Sequence, residues 1–120
     1  MTAEPFLATA LVGVGGALGA ISRHAVALRV EGGRSILAVN ALGSFALGAV
    51  AAAPVGSAAT LLFGVGFCGA FTTFSSFAVG TVRAASETGG RAAAAVAASN
   101  LAAALVAFLL GSIAAGGLPN

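Results

Sequence analysis

The chain has 120 residues, 59% hydrophobic and only 7% charged, and its mean hydropathy is +1.09. A soluble domain of this length needs a charged and polar coat that such a composition cannot supply. The charges are five Arg and three Glu, too few and too scattered for a nucleic-acid stripe, and the single cysteine, Cys68, excludes an intrachain disulfide and a multi-cysteine metal site.

A membrane-crossing helix takes about 20 mostly apolar residues, and the charges cut this chain into blocks of that size or more. The first block lies between Glu4 and Arg23 and predicts a helix over 5–27. Glu4 stands where a cleaved leader would carry basic residues, so this segment is expected to remain as a span. Its Gly15 and Gly19 have the GxxxG spacing that lets helices approach closely in lipid. A dinucleotide-binding reading fails, because Leu18 occupies the third glycine position and no strand precedes. Residues 35–82 carry no charge, enough chain for two spans. Pro54 lacks an amide hydrogen and disfavours helix before it, which divides the block into helices over 35–53 and 56–83. A last uncharged block predicts a helix over 91–115. Short connections at 29–34, near Pro54 and at 84–90 predict antiparallel chain neighbours. The expectation is one all-α integral membrane domain over 1–120, with four transmembrane helices.

Arg23, Arg29 and Arg34 flank the first connection, and Arg83 and Arg91 the third. Basic residues favour the cytoplasmic side, so a multi-pass protein of the cell membrane with both termini outside is expected. No ionisable side chain falls mid-span, since Glu4, Glu31 and Glu87 map to ends or connections. A proton-coupled carrier needs a titratable carboxylate at that depth. The polar groups that do fall there are Asn40 with Ser44, the run Gly69 to Phe77, and Ser99 with Asn100.

Asn40 and Ser44 are four apart and share a helix face, and Phe74 and Phe77 share one as well. Phe6, Phe63 and Phe108 read as packing residues. Consecutive threonines at Thr72 and Thr73 beside glycine predict a break in the third helix, whose freed carbonyls need a partner other than lipid. Such carbonyls are hard oxygen ligands suited to an alkali cation. An amide NH₂ and hydroxyls can donate to an anion, and the positive edge of a phenyl ring can meet one too. Such a lining could replace the water of a small, strongly hydrated halide. Composition alone does not choose fluoride over chloride.

The motifs do. Gly15-Gly16-Ala17-Leu18-Gly19-Ala20-Ile21-Ser22-Arg23 resembles the GGxxGAxxR opening of the Fluc/CrcB fluoride channels. Val39-Asn40-Ala41-Leu42-Gly43-Ser44-Phe45 resembles their VNxxGSF segment. The stretch from Gly66-Phe67-Cys68-Gly69 through Thr72-Thr73-Phe74-Ser75-Ser76-Phe77 is similar to their GFCGxxTTFSTF segment. The three fall in order on three of the four spans. This resemblance implies a passive fluoride channel, not an enzyme, built as an antiparallel, dual-topology dimer.

By that resemblance Phe74 and Phe77 line the pore and Asn40 is its amide, with Ser44, Ser75, Ser76 and Asn100 along the path. The carbonyls of Gly69 and Thr72 from both subunits would hold a structural Na⁺, and Arg23 would have a vestibular or structural role. Three departures stand out: His24 and Ile36 replace a common Tyr and Thr, and the fourth helix has no Tyr. Together with the one-sided arginines they suggest a heterodimer with an oppositely oriented paralogue. The alternatives are a small four-helix exporter, which lacks the required membrane carboxylate, and a non-conducting membrane subunit.

Overall fold

The computed structural model describes residues 4–117. Its elements are α1 (Pro5–Arg29), α2 (Gly33–Ala52), α3 (residues 57–71), α4 (Phe74–Glu87) and α5 (Gly90–Ala114), with no strand among the described residues. Four helical segments are long and apolar enough to cross a membrane: Pro5–Arg29, Gly33–Ala52, Ser57–Glu87 and Gly90–Ala114. The third comprises α3 and α4.

Local chemistry sets the ends. Pro5 opens α1, where its missing amide hydrogen costs nothing. The turn into α2 runs through Gly32 at φ 65°, and the turn into α5 through Gly89 at φ 124°, conformations that glycine adopts without a Cβ clash. α2 stops at Ala52 because Ala53, which precedes Pro54, is extended at ψ 146°. α4 continues to Glu87, past the expected end at 83.

α3 holds a feature the sequence does not announce. Between its first turn, Ser57–Ala59, and its last, Gly69–Phe71, residues Thr60–Cys68 form a π-helix. Thr60–Cys68 is apolar nearly throughout, so it has no hydrophobic spacing from which the wider turn could be read. After Phe71 the backbone leaves the helix: Thr72 has ψ 161° and Thr73 φ −145°, ψ 115°.

The tightest packing skips a neighbour. Chain order predicts α1 against α2, yet these touch only lightly; α1 packs mainly on α3, and α2 on α5. Glycine decides both seams. A Cβ on Gly15 would strike the Leu62 carbonyl, and one on Gly19 the Phe67 carbonyl. From the other side, a Cβ on Gly66 would lie 2.7 Å from the Val12 carbonyl. In the second seam a Cβ on Gly48 would strike the Phe108 carbonyl, and one on Gly111 the Phe45 carbonyl. The Ser112 hydroxyl adds a bond to the Gly48 carbonyl at 3.2 Å. Backbone-to-backbone contact of this kind holds helices together where lipid removes the hydrophobic drive.

Among the described residues few apolar side chains are buried: Val39, Cys68 and Phe71. Phe6 and Phe63, read from the sequence as packing residues, instead point outward, 86% and 53% exposed. Hydrocarbon accepts such side chains as readily as a protein core does, so they need no partner within the chain.

Candidate functional site

The interruption at Thr72 and Thr73 is held by side chains from other helices. In an unbroken helix the Thr73 amide would donate to the Gly69 carbonyl. Here it donates to Asn40 Oδ1 at 2.7 Å, and Asn40 Nδ2 donates to the Thr73 carbonyl at 3.1 Å. The Asn40 amide thus pairs with both ends of residue 73 as a strand neighbour would. Its position is set by α2, where Val39 is 1% exposed and Gly43 lies against Thr72 and Phe71. Arg23, from the C-terminal half of α1, donates to the Thr72 carbonyl at 3.4 Å. Thr73 also caps α4, its hydroxyl accepting from the Ser76 amide at 3.2 Å.

Beside this junction runs a groove of about 640 Å³. Asn40 and Ser44 from α2, Gly69, Thr72 and Thr73 from the junction, Phe74 and Phe77 from α4, and Asn100 from α5 all border it. The rest of its wall is mostly aliphatic. The Phe74 and Phe77 rings lie 5.7 Å apart with planes tilted by 50°. Phe74 is 79% exposed in the single chain, so this wall is open to a second chain or to lipid.

Ser75 and Ser76 do not face this groove. They border a second cavity of about 590 Å³, with Arg83 and Glu87 toward the helix end. Phe77 and Asn100 line both, which puts these two side chains between the spaces. Asn100 is buried; its Nδ2 donates to the Val96 carbonyl at 3.0 Å, while Oδ1 has no partner among the described residues. Arg23 and His24 border a third, smaller cavity that reaches Thr73 and Ser76.

A family profile described as CrcB-like protein, Camphor Resistance (CrcB), matches residues 10–112. The chain belongs to this family. It is similar to a relative from Natronomonas pharaonis named Fluoride-specific ion channel FluC 2, 53% identical over 108 residues that span 88% of this chain and 92% of that protein. A Haloarcula marismortui protein of the same name is 57% identical over 76 residues, 61% of this chain and 64% of the relative. Halobacterium salinarum has both a FluC 2 and a FluC 1, each 48% identical, over 79 and 75 residues. The FluC 2 match spans 61% of this chain and 62% of that relative, the FluC 1 match 60% and 63%.

Sequence reasoning named Asn40 and the junction threonines separately but missed that they bind one another. Thr73 carried the signal of a helix cap, a threonine just before a new helical run. Nothing in the linear order pairs residue 40 with residue 73. The second glycine seam, Gly48 with Gly111, was missed for the same reason.

Proposed function

We propose that this chain is the pore-forming subunit of a passive fluoride channel of the cell membrane. One observation supports this above others: in a CrcB-family chain with relatives named as fluoride channels, Asn40, Ser44, Phe74, Phe77 and Asn100 border a single apolar groove. Fluoride binds water strongly, and a dry path would hold it back unless donors stood in for that water. The Asn40 amide spends one N–H on the Thr73 carbonyl and keeps a second, and the Ser44 hydroxyl lies one turn along the same helix. The ring edges of Phe74 and Phe77 supply weak positive poles along the wall. Ser75 and Ser76 continue the polar lining into the second cavity, past Phe77 and Asn100. The side chains lining the groove itself are uncharged, and Arg83 borders only the second cavity, together with Glu87, so no cation holds the ion along the groove.

The working unit in this reading is a dimer whose second, antiparallel subunit closes the open groove. The five one-sided arginines favour one insertion orientation, with the termini outside. That orientation, and the presence of two named paralogues in Halobacterium salinarum, support a partner that is an oppositely oriented paralogue. Fluoride that enters as HF and ionises at higher internal pH would leave down its gradient through such a channel.

The Gly69 and Thr72 carbonyls of the broken third helix would hold a Na⁺ shared between two subunits. The donors fit: both are hard oxygens, Gly69 is exposed and the Thr73 amide that would close its carbonyl is taken by Asn40, and among the described residues the Thr72 carbonyl accepts one long side-chain bond, from Arg23 at 3.4 Å. Such an ion would supply fixed positive charge that ties the two interruptions together.

Reconstitution in liposomes loaded with potassium fluoride, read with a fluoride electrode after valinomycin, tests the function. Rapid fluoride release is expected, with chloride release at least a hundredfold slower. A chain that released neither ion, alone or with its paralogue, would overturn the reading.

A further inference from the structure

We propose that Asn40 is a positioning residue for the cation site as well as a wall of the anion path, so that one side chain links the two. The inference rests on the channel reading above. A helix that continued through residue 73 would close the Gly69 carbonyl with the Thr73 amide. Asn40 Oδ1 takes that amide at 2.7 Å, and Nδ2 holds the Thr73 carbonyl at 3.1 Å. The side-chain amide therefore satisfies both backbone polar groups of a residue that is 7% exposed, where unpaired groups are costly.

The clamp cannot easily slacken. Asn40 follows the buried Val39, and one turn later Gly43 sits so close to Thr72 that a Cβ there would strike the threonine methyl. If Asn40 is removed, the Thr73 amide is left in a dry place. A continued helix would offer it the Gly69 carbonyl as acceptor. That rearrangement occupies one of the two oxygens offered to the cation. It also rotates α4, which begins at Phe74, and with it the phenyl pair.

Three substitutions separate the clamp from the lining. Asn40→Leu removes both hydrogen bonds. Asn40→Asp keeps an acceptor for the Thr73 amide and, when protonated, a donor for its carbonyl, but puts an acid in the anion path. Asn40→Ser is too short to reach both ends of residue 73. The assembled protein in detergent is heated in sodium chloride or in N-methylglucamine chloride at matched ionic strength, and fluoride release is measured in parallel.

The melting temperature of the unsubstituted protein is expected to rise with Na⁺. In Asn40→Leu the Na⁺ concentration giving half the rise should increase at least tenfold, and fluoride release should fall at least tenfold. Asn40→Asp should keep its Na⁺ response within threefold yet lose fluoride release. Should Asn40→Leu fail to fold, Asn40→Ser is expected to show the same weakened response. An undiminished Na⁺ response in both Asn40→Leu and Asn40→Ser, or no Na⁺ response in the unsubstituted protein, overturns the proposal. Fluoride release by that unsubstituted protein would leave the channel reading standing.

Discussion

The glycine seams and the Thr72–Thr73 junction solve opposite problems in one small bundle. In the seams, α1 on α3 and α2 on α5, side chains are deleted so that backbones touch, and the chain stays helical throughout, as a π-helix on the α3 side. At the junction the backbone abandons the helix, and side chains are recruited to replace the lost partners: Asn40 for Thr73, Arg23 for the Thr72 carbonyl, the Thr73 hydroxyl for the start of α4. In hydrocarbon a freed amide or carbonyl has no water to turn to. Affinity between helices can therefore come from removing atoms, whereas an irregular turn must be furnished with them. The furnished region is also where the polar lining gathers.

Substitution at a seam should have the largest effect. Gly111→Leu drives a branched side chain into the Phe45 carbonyl of α2, and neither backbone can yield without opening the bundle. No monodisperse protein is expected from size-exclusion chromatography in detergent; recovery at the normal elution volume would show that the seam is not fixed by close approach. Replacing Phe74 and Phe77 together by Ile keeps apolar volume but removes the ring edges. Fluoride release is expected to fall at least tenfold with elution unchanged, and an unaltered rate would remove the rings from the path. Thr73→Val removes the α4 cap at nearly constant shape and should destabilise the protein by ~1 kcal/mol, read as an earlier thermal transition. Gly13→Ala serves as the control inside the same glycine-rich helix. A Cβ there meets nothing within 4 Å, and the exchange should shift stability by less than ~1 kcal/mol in the stabilising direction. A loss as large as that at a seam glycine would show that glycine content, not contact, sets the effect.

How much could be read beforehand differs between these regions. The Gly15/Gly19 pair was legible because both glycines lie on one helix at one spacing, but that spacing does not say that Leu62 and Phe67 of α3 are what they touch. Gly48 and Gly111 have no second glycine four residues away, so GxxxG spacing marks neither. Phe74, Phe77, Asn40 and Ser44 were expected along one path and do border one groove. Ser75 and Ser76 were grouped with them, but successive helical residues point in different directions, and these two face the second cavity. The unpaired oxygen of Asn100 had no sequence signal, since pairing depends on what the neighbouring helices bring near.

From its residues alone, this chain dictates four long apolar helical segments, the turns at Gly32, Pro54 and Gly89, and the family to which it belongs. These follow from local effects: the length of an uncharged run, the φ a residue tolerates, the amide a proline lacks. Tertiary structure decides which helices touch, and it turns Asn40 from an isolated polar group into the clamp on residue 73. Hydrophobicity could not make those choices, because lipid satisfies an apolar face as well as another helix does. Close contact and hydrogen bonding make them, and both exist only between segments distant in sequence.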